Sequence, residues 1–270
     1  MSDAPRLWTP LQRLTQKRIA TNADMIAAAP DLATDIRYLY LFLQSPADCE
    51  RAADILRRFG RAMIHLPALG AGRLVERLRS DGFIAKTGLS VLSGAADDVL
   101  AQSRALAGRS SLPRGMTVHS VAEGLAGEEV ALIQDMQMTG GLVPMPGASI
   151  SDPRADGIVL RDSTAEIIGF ASLLPLASGG QRQGLYLVNG VVIDPAWRGR
   201  GLGSWLTAMA ITRSRGSDAD AFLSCVDADN GSSVAMQRAC GLDLDGSQAF
   251  LFARVSEEDE AALIATEAIA

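Results

Sequence analysis

Residues 191–206 read VVIDPAWRGRGLGSWL, an apolar strand that runs through a glycine-rich turn into an amphipathic helix. The turn contains three glycines, which lack a Cβ atom and let the backbone pass close to a ligand: Gly199, Gly201 and Gly203. The N–H groups in the first turn of the following helix have no partner within that helix, and the helix dipole attracts anions to this end. Arg198 and Arg200 add positive charge. The stretch therefore predicts a binding site for a pyrophosphate group.

The spacing of the glycines separates this turn from two other phosphate-binding motifs. A dinucleotide-binding fingerprint has its third glycine three residues after the second, and this turn does not. The Gly-Lys-Ser/Thr of a nucleoside triphosphate loop is also missing. The residues resemble the acyl-CoA-binding signature of the GCN5-related N-acetyltransferase (GNAT) superfamily, a strand ending in Val/Ile-x-Pro and then Arg-x-x-Gly-x-Gly. Ile193 to Pro195 and Arg198 to Gly203 match it. Glycines that serve tight packing alone are the other interpretation, but such a turn needs neither the arginines nor the proline.

Length and composition indicate a globular protein. The 270 residues predict two domains, or one domain with a large extension, and 48% of the residues are hydrophobic while 21% are charged. No uncharged apolar run reaches the length of about 18 residues that a membrane span needs. Met1 to Pro5 lack the apolar core of a signal peptide. We therefore expect a cytoplasmic location and no membrane partner.

Cysteine and histidine usage predicts neither a disulfide framework nor a metal centre. The three cysteines have no Cys-x-x-Cys spacing, and the only histidines are His65 and His119. The formal net charge of −6 disfavours nucleic acid as a partner and is compatible with a cationic acceptor such as an amine.

The first hundred residues predict two short helices over 8–29 and then the order β-α-β-α-β. The spacing of the apolar residues predicts strands at 38–43, 61–66 and 83–92, and helices at 47–59 and 69–80. This order resembles a part of the GNAT fold, but the segment 44–48 has neither glycine nor arginine and should not bind CoA. We interpret residues 1–110 as a smaller, degenerate GNAT-like domain, with an unrelated α/β cap as the alternative. Residues 94–113, which contain a helical stretch over 97–106, are interpreted as a linker, and His65 as a packed strand residue.

Residues 111–256 are predicted to form the GNAT domain, followed by an acidic C-terminal tail over 257–270. The patterns predict strands 116–121, 156–160, 166–174, 185–193 and 221–226, helices 127–138 and 230–239, and a turn at 179–180. Within strand 185–193, Asn189-Gly190 is either a bulge or a hairpin turn; we favour the bulge, because a hairpin would leave arms of only about four residues. The segment 139–149 is either a lid over the acceptor, as in the family, or a loop packed on the core.

The resemblance implies a mixed α/β sheet and an acyl-CoA donor, acetyl-CoA by default, with no metal. It implies that CoA is held by backbone groups of the strand, by the glycine-rich turn and by a helix N-terminus. The implied contacts are Val191, Val192, Ile193, Arg198, Gly199, Arg200, Gly201, Leu202, Gly203, Ser204 and Asn230.

The resemblance also implies direct attack of an amine on the thioester, but the proton donor is not evident. Gln237 stands where the family usually has a tyrosine, and an amide can donate a hydrogen bond without transferring a proton. Glu166 is the candidate base, with Asp194 and His119 as further candidates and a structural role as the alternative for each. Cys225 is interpreted as a small buried hydrophobe.

The sequence therefore predicts an N-acetyltransferase that moves an acyl group from CoA to a small-molecule or peptide amine. The alternative is a catalytically silent acyl-CoA-binding regulator, or a protein that uses the fold to bind a partner. Residues 1–110 are expected to pack on the second domain or on another chain, so a homodimer is one arrangement to test. The acceptor cannot be read from the sequence.

Overall fold

The structure is a computed structural model that describes residues 8–34, 38–109, 112–151, 156–176, 184–214 and 219–269. The N-terminal half begins with two helices and continues with alternating strands and helices. Its elements are α1 (Pro10–Thr21), α2 (Ala23–Ala28), β1 (Leu32–Thr34), β2 (Leu39–Phe42), α3 (Cys49–Phe59), β3 (Arg61–Pro67), α4 (Ala71–Ser80), β4 (Ile84–Ala95) and α5 (Ala96–Arg109). The predicted β-α-β-α-β order is confirmed.

The C-terminal half contains the strands and helices expected around the glycine-rich turn. Its elements are β5 (Thr117–Ser120), α6 (Gly127–Thr139), α7 (Gly147–Ile150), β6 (Asp156–Arg161), β7 (Ile167–Pro175), β8 (Leu185–Ile193), α8 (Leu202–Arg213), β9 (Ala221–Asp227), α9 (Gly231–Ala239), β10 (Asp243–Leu244), β11 (Gln248–Arg254) and α10 (Glu257–Ile269). The turn predicted at 179–180 lies outside the described residues.

The strands of the described residues form one mixed sheet, with parallel and antiparallel pairs, as predicted for this α/β fold. Its order is β1-β2-β3-β11-β4-β9-β8-β7-β6-β5, with β10 paired to β4. Most neighbours are antiparallel, whereas β2 with β3 and β8 with β9 are parallel. The two halves of the chain therefore share a single sheet.

Strand β11 lies between β3 and β4, although both of these belong to the N-terminal half. Leu251 and Ala253 of β11 are fully buried in the apolar cluster of that half. The predicted acidic tail is helix α10, and its Glu267 forms ion pairs with Lys17 and Arg18 of α1. The C-terminal segment thus completes the N-terminal half, while the predicted domain boundaries stay a prediction.

The segment interpreted as a linker is largely regular structure. Strand β4 continues to Ala95, and α5 then packs on α8, burying Ala96, Val99 and Ser103. The interpretation was wrong because the many small residues of this segment allow close helix packing, a role that composition alone does not distinguish from a linker.

The two faces of the sheet carry different clusters. On β9, Phe222 packs with α5 and α8, whereas its neighbour Leu223 lies in a cluster with Leu187 and Phe250. Successive side chains of a strand point to opposite faces, so this second cluster lies on the face away from α8.

Candidate functional site

The glycine-rich turn adopts a conformation that favours glycine. Gly199 and Gly201 have φ of +74° and +75°, in the left-handed region, and a Cβ atom on either would meet no atom within 4 Å. Before them, the Asp194 carboxylate accepts a hydrogen bond from the Ala196 N–H at 2.8 Å and so caps the short 3₁₀ turn Pro195–Trp197. The backbone of the turn is therefore bent by its glycines and open on one side.

Helix α8 begins at this turn with no side chain capping its N-terminus. Gly201 occupies the N-cap position and supplies no side-chain hydrogen bond to the first-turn N–H groups, which belong to Leu202, Gly203 and Ser204. Gly203 has a second reason to be glycine, because a Cβ there would lie 3.2 Å from the Met236 sulfur of α9. The helix end thus offers free donors and a positive dipole.

Both arginines of the turn are exposed and partly engaged by their own neighbourhood. The Nε of Arg198 donates to the Ile193 carbonyl at 2.9 Å, and an Nη of Arg200 donates to the Ala196 carbonyl at 3.3 Å. The Arg200 guanidinium also lies 4.7 Å from the centre of the Trp197 ring. Each of these hydrogen bonds uses one of the five N–H groups of a guanidinium.

Strand β8 contains the predicted bulge. The register against β7 shifts between Phe170 opposite Val192 and Ser172 opposite Asn189, so β8 has one extra residue there. Gly190 has φ of +64°, and a Cβ on it would clash with Met145, Gln137 and Phe170. The bulge is confirmed, and glycine is required at it.

Strands β8 and β9 pair over only three residues and then diverge. Leu187 opposite Leu223 is the last pair, while residues 188–193 of β8 have no partner on β9. Strand β9 stays paired with β4 along its whole length from Ala221 to Asp227. A slot therefore opens between the two parallel strands, beside Val191, Val192 and Ile193 and leading toward the glycine-rich turn.

The second part of the segment 139–149, residues 144–147, is buried next to the bulge, whereas residues 139–142 are exposed. Met145 is 1% exposed, and its N–H donates to the Gln137 Oε1 at 2.8 Å. The Nε2 of Gln137 approaches the Gly190 carbonyl at 3.5 Å, so one buried amide joins this segment to the bulge. Sequence reasoning missed Gln137; a polar residue on the apolar face of α6 was the available signal.

Helix α9 contributes Asn230 and Gln237. The Asn230 side chain caps the helix, accepting from the Ser233 N–H at 3.0 Å. Gln237 is 3% exposed, and among the described residues no donor reaches its Oε1. Three residues earlier on the same helix face, Val234 packs into the cluster that contains Val226 of β9. Gln237 thus lies on the buried side of α9, and its carbonyl oxygen has no donor among the described residues.

Glu166 lies away from the bulge. It is exposed in the turn between β6 and β7, where its N–H donates to the Asp162 carboxylate. Ser172, opposite the bulge, is six residues further along β7, or about 20 Å in an extended strand. The structure therefore does not bring Glu166 to the bulge. Glu166 lies three residues before Gly169, which pairs with Ile193 beside the slot, and its role as the base stays a prediction.

The other reactive candidates also lie outside the slot or face away from α8. His119 is exposed on the edge strand β5, near Glu123 at 3.5 Å. Cys225 packs in the same apolar cluster as Leu223, and burial raises the pKa of its thiol well above the usual value. Within the described ranges, no cluster of His, Cys, Asp and Glu is arranged to hold a metal ion, and no helix has the length and apolar character of a membrane span.

Comparison with known proteins matches residues 138–242 to the acetyltransferase (GNAT) family. No curated protein sequence matches the chain. A GCN5-related N-acetyltransferase from Kribbella flavida has 14% identity and a TM-score of 0.58, covering 91% of this chain and 97% of that one. A tandem GNAT protein from the clavulanic acid biosynthesis pathway has 13% identity and a TM-score of 0.51, covering 77% and 67%. A GNAT-family protein from Novosphingobium aromaticivorans DSM 12444 has 15% identity and a TM-score of 0.50, covering 93% and 100%.

These structural likenesses concern the fold, and they extend through the N-terminal half as well as the segment that the family matches. The chain has a GNAT fold, and its residues 138–242 match the acetyltransferase (GNAT) family.

Proposed function

We propose that this protein is an acyl-CoA-dependent N-acyltransferase that uses acetyl-CoA and transfers the acetyl group to an amine. The observation that carries the proposal is the divergence of β8 and β9 after Leu187 and Leu223, directly before the glycine-rich turn. The slot can take the pantetheine arm, while the turn and the uncapped end of α8 can take the pyrophosphate.

The proposed donor site comprises backbone groups from three elements and a few side chains. Strand β8 supplies the edge left unpaired by β9, and the turn supplies bare backbone and two exposed arginines. The proposed CoA contacts are Val191, Val192, Ile193, Arg198, Gly199, Arg200, Gly201, Leu202, Gly203, Ser204 and Asn230.

Chemistry at this site requires few catalytic side chains. The thioester supplies an activated acyl group and a thiol leaving group whose pKa of about 8.5 needs little assistance from an acid. Backbone N–H groups near the bulge can stabilise the developing oxyanion. The neutral amine attacks the thioester carbonyl, and the C–N bond forms as the C–S bond breaks. The proton lost by the amine nitrogen passes to water, and the thiolate, to which the Gln237 amide can donate a hydrogen bond, takes a proton from water. General acid assistance is typically worth about 10²- to 10⁴-fold, so a slower enzyme is the expected consequence.

The test is calorimetric titration with acetyl-CoA and CoA, followed by turnover assays with a panel of small amines and lysine-containing peptides. We expect micromolar binding of acetyl-CoA and release of CoA with at least one amine. Binding without turnover on every amine would favour the alternative, a silent acyl-CoA-binding regulator. Absence of acetyl-CoA binding would exclude both and leave a fold that serves a protein partner.

A further inference from the structure

A cavity of about 340 Å³ lies where the two halves of the sheet meet. It is lined by residues from both halves, including Leu43 and His65 from the first and Leu185, Leu223 and Asp245 from the second. Its volume is at the lower end of the range for small-molecule sites. Neither half alone would form it.

The cavity adjoins the point where the slot opens. Leu223 lines the cavity and also forms, with Leu187, the last pair before β8 and β9 diverge. Its side chain belongs to the cluster on the face away from α8. A molecule in the cavity would therefore lie beside the apex of the slot and on the face opposite the glycine-rich turn and its helix.

The polar group that distinguishes this cavity is the carboxylate of Asp245. One oxygen accepts from the Ser93 hydroxyl at 3.2 Å, and the other accepts from the Ser247 N–H at 3.0 Å and its hydroxyl at 2.6 Å. Burial opposes its ionisation, but the hydrogen bonds from Ser247 and Ser93 and the nearby His65 outweigh burial and lower the pKa of Asp245. The Asp245 carboxylate is therefore favoured in its ionised form, and the cavity wall around it includes His65 and apolar side chains from Leu43, Leu185 and Leu223.

We propose that this cavity binds the acceptor as a small protonated amine, with the ammonium group on Asp245 and the hydrocarbon part against Leu185 and Leu223. The assignment rests on the proposed function for its chemistry, because an amine beside the slot is placed to meet the thioester. A charged hydrogen bond from ammonium to carboxylate selects amines over alcohols of the same size, and it excludes carboxylates.

The experiment measures amine binding directly, by calorimetry with butylamine, benzylamine and, as the uncharged probe, pentanol. We expect the wild type to bind at least one amine and to bind pentanol at least about tenfold more weakly. Asp245→Asn should lose about tenfold or more in amine affinity. Asp243→Asn, the same change two residues away on an exposed carboxylate paired with Arg238, should keep it. Equal amine affinity in the wild type and Asp245→Asn would overturn the proposal, as would failure of both amines to bind.

A second variant tests the cavity without changing Asp245. Leu185→Phe adds bulk to a half-buried side chain at the cavity wall, so it should weaken benzylamine more than butylamine while leaving Asp245 in place. Acetyl-CoA titration of the same proteins separates the two proposals. If the wild type does not bind acetyl-CoA, the proposed function is wrong. If it binds acetyl-CoA but neither Asp245→Asn nor Leu185→Phe changes amine binding, only the assignment of the cavity is wrong.

Discussion

The indole Nε1 of Trp8 donates a hydrogen bond to the backbone carbonyl of Pro144 at 3.1 Å. Trp8, the first described residue, is 3% exposed, so its bond to the segment 139–149 of the C-terminal half is buried. Pro144 precedes Met145, which Gln137 joins to the bulge at Gly190. The N-terminal end of the chain is thereby connected, through the segment 139–149, to the strand that lines the slot.

Removing this bond should loosen the segment without unfolding the protein. Trp8→Phe keeps an aromatic ring but leaves the Pro144 carbonyl without its donor, which should lower the free energy of unfolding by about 1–2 kcal/mol. Urea denaturation measures that loss, and hydrogen exchange should show a faster-exchanging Met145 amide. Trp197→Phe is the control, since Trp197 stacks with Arg200 far from this bond. Unchanged exchange at Met145 in Trp8→Phe would show that packing alone holds the segment.

Gly201→Asp should abolish acetyl-CoA binding in a folded protein. Aspartate is among the residues that tolerate a left-handed conformation, and a Cβ at Gly201 meets no atom within 4 Å. Its carboxylate would face the proposed pyrophosphate, and like charges about 4 Å apart near a protein surface repel by about 4 kcal/mol. We expect at least a 100-fold (~2.7 kcal/mol) loss by calorimetry.

Gly82→Asp is the matched control for this prediction. Gly82 also has positive φ, at +90°, with no atom within 4 Å of its Cβ position, and it lies just after α4 in the N-terminal half, outside the turn before α8. This variant should keep its acetyl-CoA affinity. A folded Gly201→Asp protein with wild-type affinity would remove the turn from the proposed site.

The local parts of this structure could be predicted from the sequence, because local chemistry determines them. Positive φ at Gly199 and Gly201 and the bulge at Gly190 follow from residues adjacent in the chain. The insertion of β11 between β3 and β4 could not be predicted, since strand pairing over some 190 residues leaves no local periodic signal.

The same limit applies to the candidate site. The carboxylate of Glu166 makes it a candidate base in the sequence, but the turn between β6 and β7 that contains it lies away from the bulge. Asp245 and His65 gave no signal in sequence, because they meet at one cavity only after β11 crosses into the first half. Tertiary pairing, which a single sequence does not encode in its spacing, decides which carboxylate lines the cavity where the two halves meet.

Gln237→Met should stabilise the protein in the absence of ligand. The substitution keeps a flexible side chain of similar size and removes a buried Oε1 for which the described residues provide no donor. The gain in the free energy of unfolding should be about 1 kcal/mol by urea denaturation. Gln134→Met is the control, since the Gln134 Nε2 donates to the Met145 carbonyl at 2.9 Å and its loss should destabilise. A destabilised Gln237→Met would mean that the Oε1 is satisfied in solution, by water for example.

Ending the chain at Gly246 should prevent the N-terminal half from folding, although that half keeps its whole sequence. The cut removes β11, so β3 and β4 lose the strand that pairs with both, and the core loses Leu251 and Ala253. Each large buried aliphatic side chain typically contributes about 2–5 kcal/mol, and a domain has only about 5–15 kcal/mol in total.

Ending the chain at Ser256 provides the contrast, because it removes α10 alone. That cut costs mostly half-exposed contacts and the ion pairs of Glu267 with Lys17 and Arg18, which contribute little because the solvent screens them. We expect this chain to be soluble, with slow hydrogen exchange in β3, and the chain ending at Gly246 to be insoluble or to exchange throughout β3. A soluble protein ending at Gly246 with protected β3 amides would show that the N-terminal half folds independently, and that the predicted boundary near residue 110 separates two autonomous domains.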